Sequence, residues 1–192
     1  MQNITNIRFS DCVDSKYIKP KRVLFCENGV EKSWDIIEAH NSVAALLYHT
    51  QKDSFIFVKQ FRPAVYLKES KKDKNANGYT YELCAGIMDK NKSEIETMQE
   101  EILEECGFKI PLTQLTKITE FYSSVGFAGS KQTLYFAKVD DSFKINCGGG
   151  IEDENIEVVY IKKQEALEFM FNESYHKTSG LMFSLLWYFR NF

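Results

Sequence analysis

The sequence lacks a long apolar run, an excess of basic charge and any paired-cysteine motif, and each absence removes a class of function. No stretch approaches the roughly eighteen apolar residues of a membrane-spanning helix. The first residues, Met-Gln-Asn-Ile-Thr-Asn-Ile-Arg, carry no apolar core of a signal peptide. A formal net charge of −3 leaves no basic footprint for nucleic acid and no polybasic patch for a membrane surface. The cysteines (12, 26, 84, 106, 147) are odd in number, scattered and without a C-x-x-C spacing. That pattern favours reduced thiols in a cytoplasmic protein over a disulfide frame or a zinc site. His40, His49 and His176 stand apart from one another, and none is assigned a catalytic role. There is no internal repeat and no low-complexity tract.

What is present is a core. With 44% hydrophobic and 14% aromatic residues, 192 residues can fill one medium domain, or one domain with a small appendage. Residues 1–36 read as three short strands with polar breaks, around the Asn28-Gly29 turn signal and the return strand Trp34–Ile37. Three short strands bury too little surface to stand alone, so this piece must dock on something. Val43–Tyr48 and Phe55–Arg62 are apolar runs of strand length, as expected for buried strands of a mixed sheet. Pro63 stops the second, residues 68–78 read as an exposed polar loop, and Tyr79–Ala85 resumes as one strand. Ile118–Ser123, Gln132–Val139 and Ile156–Ile161 follow as strands, with helical patterns at Lys163–Phe171 and Ser179–Phe192. Strands, one central helix, strands and terminal helices make an α/β sandwich with a mixed central sheet.

The central helix carries the chemistry. Ser93 and Glu96 have the spacing of a capping box, and Gly107 ends the segment. Ile95, Met98, Ile102 and Cys106 recur every three or four residues and make one apolar face. At about 100° per residue, Glu101, Glu104 and Glu105 fall together on the adjacent face, at the edge of a cleft. Carboxylates crowded in this way repel one another, and an oxygen-seeking divalent cation would turn that cost into a site. A solvated acidic helix face is the alternative. Arg62, at the end of an apolar strand, is either a bidentate phosphate contact or half of a structural ion pair.

Gly86 through Phe108 resembles the Nudix box: Gly, five residues, Glu, seven residues, then Arg-Glu-aliphatic-x-Glu-Glu-x-Gly-aliphatic. The register from Gly86 to Gly107 is kept without gaps. Lys92 stands where the family has Glu, and Glu100 where it has Arg. The two replacements reverse each other in sign, and the expectation is a charge-reversed salt bridge between them. Lys32–Asp35, Val58–Tyr66, Tyr81–Gly86, Val125–Ser130 and Gly148–Glu152 extend the likeness to the UDP-glucose pyrophosphatase branch, related to the ADP-ribose pyrophosphatases.

The resemblance implies Mg2+-dependent hydrolysis of a nucleoside diphosphate sugar, UDP-glucose first and ADP-ribose second, with Mn2+ as a substitute cation. It implies Glu101 and Glu105 as principal metal ligands, with Glu104 and the Ala85 carbonyl beside them. Glu152 and Glu154 match the loop that carries the general base or a further ligand, and a solvated acidic turn is the plainer reading of both. Glu105, Glu152 and Glu154 are thus the catalytic candidates. Trp34, Arg62, Gly86, Gly126 and Gly129 are the substrate-binding ones, although Trp34 also suits a buried core and Gly126 and Gly129 a plain turn. Residues 1–40 are expected as a small β subdomain exchanged in a homodimer, and residues 41–192 as the Nudix domain. The rival reading is a Nudix-fold module that binds a nucleotide sugar without cleaving it, motivated by Lys92 and Glu100.

Overall fold

A computed structural model describes residues 4–151 and 153–192. Among them, β3 (Ser42–His49) is the centre of the molecule, with Val43, Ala45, Leu47, Ala44 and Leu46 all at or below 1% exposure. A strand with five consecutive buried apolar residues, Val43 to Leu47, must be covered on both faces. Alternation divides its side chains. Val43, Ala45 and Leu47 join Ile56, Val58, Tyr135 and Ala137 beneath helix α2 (Glu94–Cys106). Ala44 and Leu46 join Phe55, Phe57, Leu134 and Phe136 beneath α3 (Ala166–Phe171) and α4 (Ser179–Asn191). Each fully buried aliphatic or aromatic side chain in these layers contributes roughly 1.5–3 kcal/mol. The expected α/β sandwich with a mixed sheet is the fold.

β3 runs parallel to β8 (Lys131–Val139), which pairs in turn with β7 (Thr116–Tyr122). Its antiparallel pairing with β4 (Ser54–Phe61) covers only Leu47↔Ile56 to His49↔Ser54, after which the two strands diverge. Here one expectation is corrected. The strand read across Tyr79–Ala85 is two, β5 (Tyr79–Glu82) on β4 and β6 (Cys84–Ile87) on β3, with buried Leu83 at the crossing. Neither partner strand alone could hold the whole segment, because they have already separated. β9 (Glu157–Lys162) pairs with the other edge of β4.

Two smaller corrections concern the ends of elements. Pro63 stops β4 and also opens the short helix α1 (Pro63–Glu69), where its missing N–H costs nothing, so the polar loop begins later than residue 68. The three short N-terminal strands are instead two ten-residue strands, β1 (Ile18–Glu27) and β2 (Val30–Ala39), paired from Ile18↔Ala39 to Glu27↔Val30 about the Asn28-Gly29 turn. This hairpin is a separate two-stranded sheet. It meets the body where Ile37 N–H donates to the Phe127 carbonyl at 2.7 Å.

Candidate active site

Helix α2 starts and stops where its sequence requires. The Ser93 hydroxyl accepts from Glu96 N–H at 3.4 Å, and the Glu96 carboxylate accepts from Ser93 N–H at 3.0 Å. Gly107 closes the helix in the left-handed conformation. Met98, Ile102 and Cys106 are fully buried. Beside that seam, Thr97, Glu101 and Glu105 lie at successive four-residue intervals on one strip. Glu105 is only 5% exposed, and its carboxylate accepts from Ala85 N–H at 3.0 Å.

Burial pushes the Glu105 carboxyl up to about 8; the Ala85 N–H and the Cys84 thiol act against the shift, and the charges of Glu101 and Glu154 add to it. Burial likewise pushes Glu101 up to about 7, with Glu104 adding to the rise and Lys90 opposing it. Glu104 is raised by the same combination of burial, Glu100 and Glu154, against Lys90. A Cβ on Gly86 would come within 2.1 Å of the Glu101 carboxyl carbon, so the Glu101 side chain occupies the space that a larger residue there would take.

The expected ion pair is present: Lys92 Nζ lies 2.8 Å from both carboxylate oxygens of Glu100, and Lys90 Nζ lies 3.4 Å from one of them. The two departures from the Nudix pattern therefore compensate each other in space as well as in sign. Glu100 is drawn towards the two lysines.

The far end of α2 is tied to the glycine-rich loop. Gly150 N–H donates to the Glu104 carbonyl at 3.1 Å and Gly149 N–H to the Glu105 carbonyl at 2.9 Å. Lys144 Nζ donates to the Cys106 carbonyl at 2.6 Å. Gly148 to Gly150 all have positive φ, and a Cβ on Gly148 would lie 2.2 Å from the Glu105 carbonyl oxygen. The loop thus satisfies the unpaired carbonyls of the helix that carries the carboxylates. It also brings Glu154 close enough to act on Glu101, Glu104 and Glu105 electrostatically. Glu154 is itself held by Ile151 N–H, which donates to its carboxylate at 3.0 Å. Glu152 lies outside the described residues.

Opposite this end, the sheet face below α2 continues past the helix. Register pairs Val58 with Glu82 and Gln60 with Thr80, and Arg62 N–H bonds to the Gly78 carbonyl at 2.9 Å. Val58 packs beneath α2, so alternation sets Gln60, Arg62, Thr80 and Glu82 on the same side. Arg62 holds Glu82 bidentately, Nε to one oxygen at 2.7 Å and a terminal nitrogen to the other at 2.6 Å. Glu82, then Glu105 and Glu154, raise the Arg62 pKa against the opposing effect of burial.

The structure therefore gathers Ala85, Gly86, Glu101, Glu104, Glu105, Glu154 and Arg62 about one end of α2. Trp34 stands in a second place: it is 55% exposed, which corrects the buried-core alternative, and its indole N–H donates to the Gly126 carbonyl at 2.8 Å. A Cβ on Gly126 or Gly129 would meet open space. Sequence reasoning missed Glu82, Lys90 and Lys144. Period-two alternation across residues 58–62 and 78–82 sets Glu82 on the Arg62 face only once the register of the two strands is known.

The donor chemistry fits a hard divalent cation: carboxylates from one helix, with their charged forms disfavoured by burial and by each other. Among the described residues no three His, Cys, Asp or Glu side chains enclose an ion as they stand. Glu105 is turned to the Ala85 N–H instead.

No family model matches the chain. Individual proteins do. It is 34% identical over 212 residues to a uridine diphosphate glucose pyrophosphatase of Bos taurus, covering 98% of this chain and 96% of that protein. Identity to the Mus musculus protein of the same name is 32% over the same coverage. A GDP-mannose pyrophosphatase of Cronobacter sakazakii is 34% identical over 134 residues, 70% of this chain and 66% of that protein. The fold, the glutamate helix and this likeness define a hydrolase of pyrophosphate bonds, and the chain belongs to the Nudix family. Within that family it falls in the nucleotide-sugar branch. Among the described residues no helix is long and apolar enough to cross a membrane.

Proposed function

We propose that this chain hydrolyses the pyrophosphate bond of a nucleoside diphosphate sugar with Mg2+, giving a nucleoside monophosphate and a sugar phosphate. UDP-glucose is the first-choice substrate, because the relatives named for it match along nearly the whole chain. ADP-ribose is the second choice, and GDP-mannose joins the panel through the shorter match. The observation that carries the reading is the buried Glu105 carboxylate, bonded to Ala85 N–H and flanked by Glu101, Glu104 and Glu154.

In this proposal Glu101, Glu104, Glu105 and the Ala85 carbonyl hold the divalent metal, with Mn2+ as a substitute. When bound, the metal supplies positive charge for phosphate oxygens and acidifies water. Glu154, whose charge acts on the other three glutamates, and Glu152, two residues before it, are the candidates to accept the proton of the attacking water. Arg62 directs a guanidinium edge at the diphosphate. Gly86 leaves room beside Glu101, and Trp34, with the Gly126–Gly129 loop, takes part of the nucleotide. The division into residues 1–40 and 41–192, with the first exchanged in a homodimer, belongs to the same proposal. Its support is a hairpin that, among the described residues, forms a sheet of its own apart from the large one.

Phosphate release coupled to a phosphatase, measured over UDP-sugars, ADP-ribose and GDP-mannose with and without Mg2+, tests the reaction. Glu105→Gln should reduce kcat by at least about a hundredfold with the fold intact. A Glu105→Gln enzyme of normal activity would refute the metal assignment.

A further inference from the structure

Glu82 has no part in the reading so far, yet three donors converge on it. Arg62 reaches both of its oxygens, at 2.7 and 2.6 Å, and the Thr80 hydroxyl reaches one of them at 2.5 Å. The pair is lopsided. The Glu82 side chain is 12% exposed and that of Arg62 48%. A bridge between two exposed side chains contributes little to stability, and this one is exposed on one side only. Here the carboxylate is nearly covered, while the Arg62 side chain stays about half exposed.

The covalent geometry of arginine gives this asymmetry a meaning. A guanidinium carries five N–H donors in one plane, arranged as two forks. Glu82 occupies the fork made by Nε and one terminal nitrogen, so the second fork, on the other edge of the plane, is fixed in direction without being used by Glu82. Glu105 and Glu154 lie close enough for their charges to act on the guanidinium.

We infer that Glu82 is a positioning residue: it locks Arg62 by one fork so that the other is preset to receive a non-bridging oxygen of a diphosphate. This deepens the proposed function and rests on Arg62 being a phosphate contact. A preset fork loses less rotamer entropy when the anion arrives, so its removal should weaken binding more than the chemical step.

The experiment uses Glu82→Gln and the exchanged double variant Arg62→Glu with Glu82→Arg, each read by melting temperature, by KM and kcat on UDP-glucose, and by calorimetric affinity for inorganic pyrophosphate. Glu82→Gln should raise KM about tenfold and leave kcat within about twofold, and should weaken pyrophosphate binding by a similar factor. The exchanged pair should recover the wild-type melting temperature with KM still raised, since it restores the ion pair but turns the fork away. If the exchanged pair recovers both, the bridge is structural and the inference falls. An unchanged KM and an unchanged pyrophosphate affinity in Glu82→Gln would also overturn it. Should the wild-type protein prove inactive on every nucleotide sugar, that reading of the function fails, and pyrophosphate affinity still decides the role of Glu82.

Discussion

At the scale of single residues, the chain shows how a motif survives the reversal of two charges. Lys92 and Glu100 meet at 2.8 Å, and both stay partly exposed, so the pair itself is worth at most about 1 kcal/mol. Its larger effect is on where charge sits. Lys92→Glu would set a further carboxylate beside Glu100, and Glu100→Arg would crowd Lys90 and Lys92. Each single variant should lose about fivefold in kcat/KM, and the double should return close to wild type. Steady-state assays of the four proteins at fixed Mg2+ check this.

The buried carboxylates make a second prediction. Glu101 and Glu105 are raised from an ordinary 4.5 to about 7 and about 8, so between these values the folded chain holds protons that the unfolded chain releases. Stability from these groups is complete below about pH 4.5 and is lost as pH rises through about 7 to 8. Metal-free protein should therefore melt at lower temperature at pH 8 than at pH 6. Divalent metal should narrow the gap, and Glu105→Gln should flatten it. The glutamates themselves were legible in the sequence because they share a helix, where spacing fixes direction. Glu82 was not, since its partner lies twenty residues away across a strand pair whose register the sequence leaves open.

At the scale of elements, helix α2 was legible from cap to cap, because Ser93, Glu96, the apolar seam and Gly107 are all local signals. The split of the expected Tyr79–Ala85 strand was not: nothing in those seven residues reveals that β3 and β4 diverge before reaching them. The glycine-rich loop read from sequence only as a bearer of acidic residues. Its backbone also completes α2, with Gly148 packed against the Glu105 carbonyl in a left-handed conformation. Gly148→Ala should cost roughly 1–2 kcal/mol from backbone strain alone, lowering the melting temperature by about 4 °C. It should also raise the Mg2+ concentration needed for half-maximal activity. Calorimetric scans and a metal titration measure the two effects together.

At the scale of the whole molecule, the two helical layers followed from the strand pattern, whereas the placement of the N-terminal hairpin did not. Its exposure is the reason: the strands bury almost nothing against their own chain, so no core pattern marks where they lie. One face of the hairpin carries Val23, Phe25, Val30 and Trp34, each at least 40% exposed, with the Lys21–Glu38 ion pair at one end and the Lys32–Glu27 pair crossing it beside Phe25 and Val30. These apolar side chains are the ones that the proposed second copy of the chain would cover. If the proposed exchange holds, Phe25→Glu should shift the protein to a monomer in light scattering at micromolar concentration, with the fold retained by circular dichroism. A wild-type protein that is monomeric throughout would remove the proposed exchange.

The latch between the glycine-rich loop and α2 has a kinetic side. Gly149 and Gly150 spend their amide protons on the carbonyls of Glu105 and Glu104, so neither proton can trade with deuterium until the loop lifts away from the helix. Their exchange rates therefore clock the loop itself. The motion that would carry Glu154 away from its neighbouring carboxylates is recorded at two amides that take no part in the chemistry.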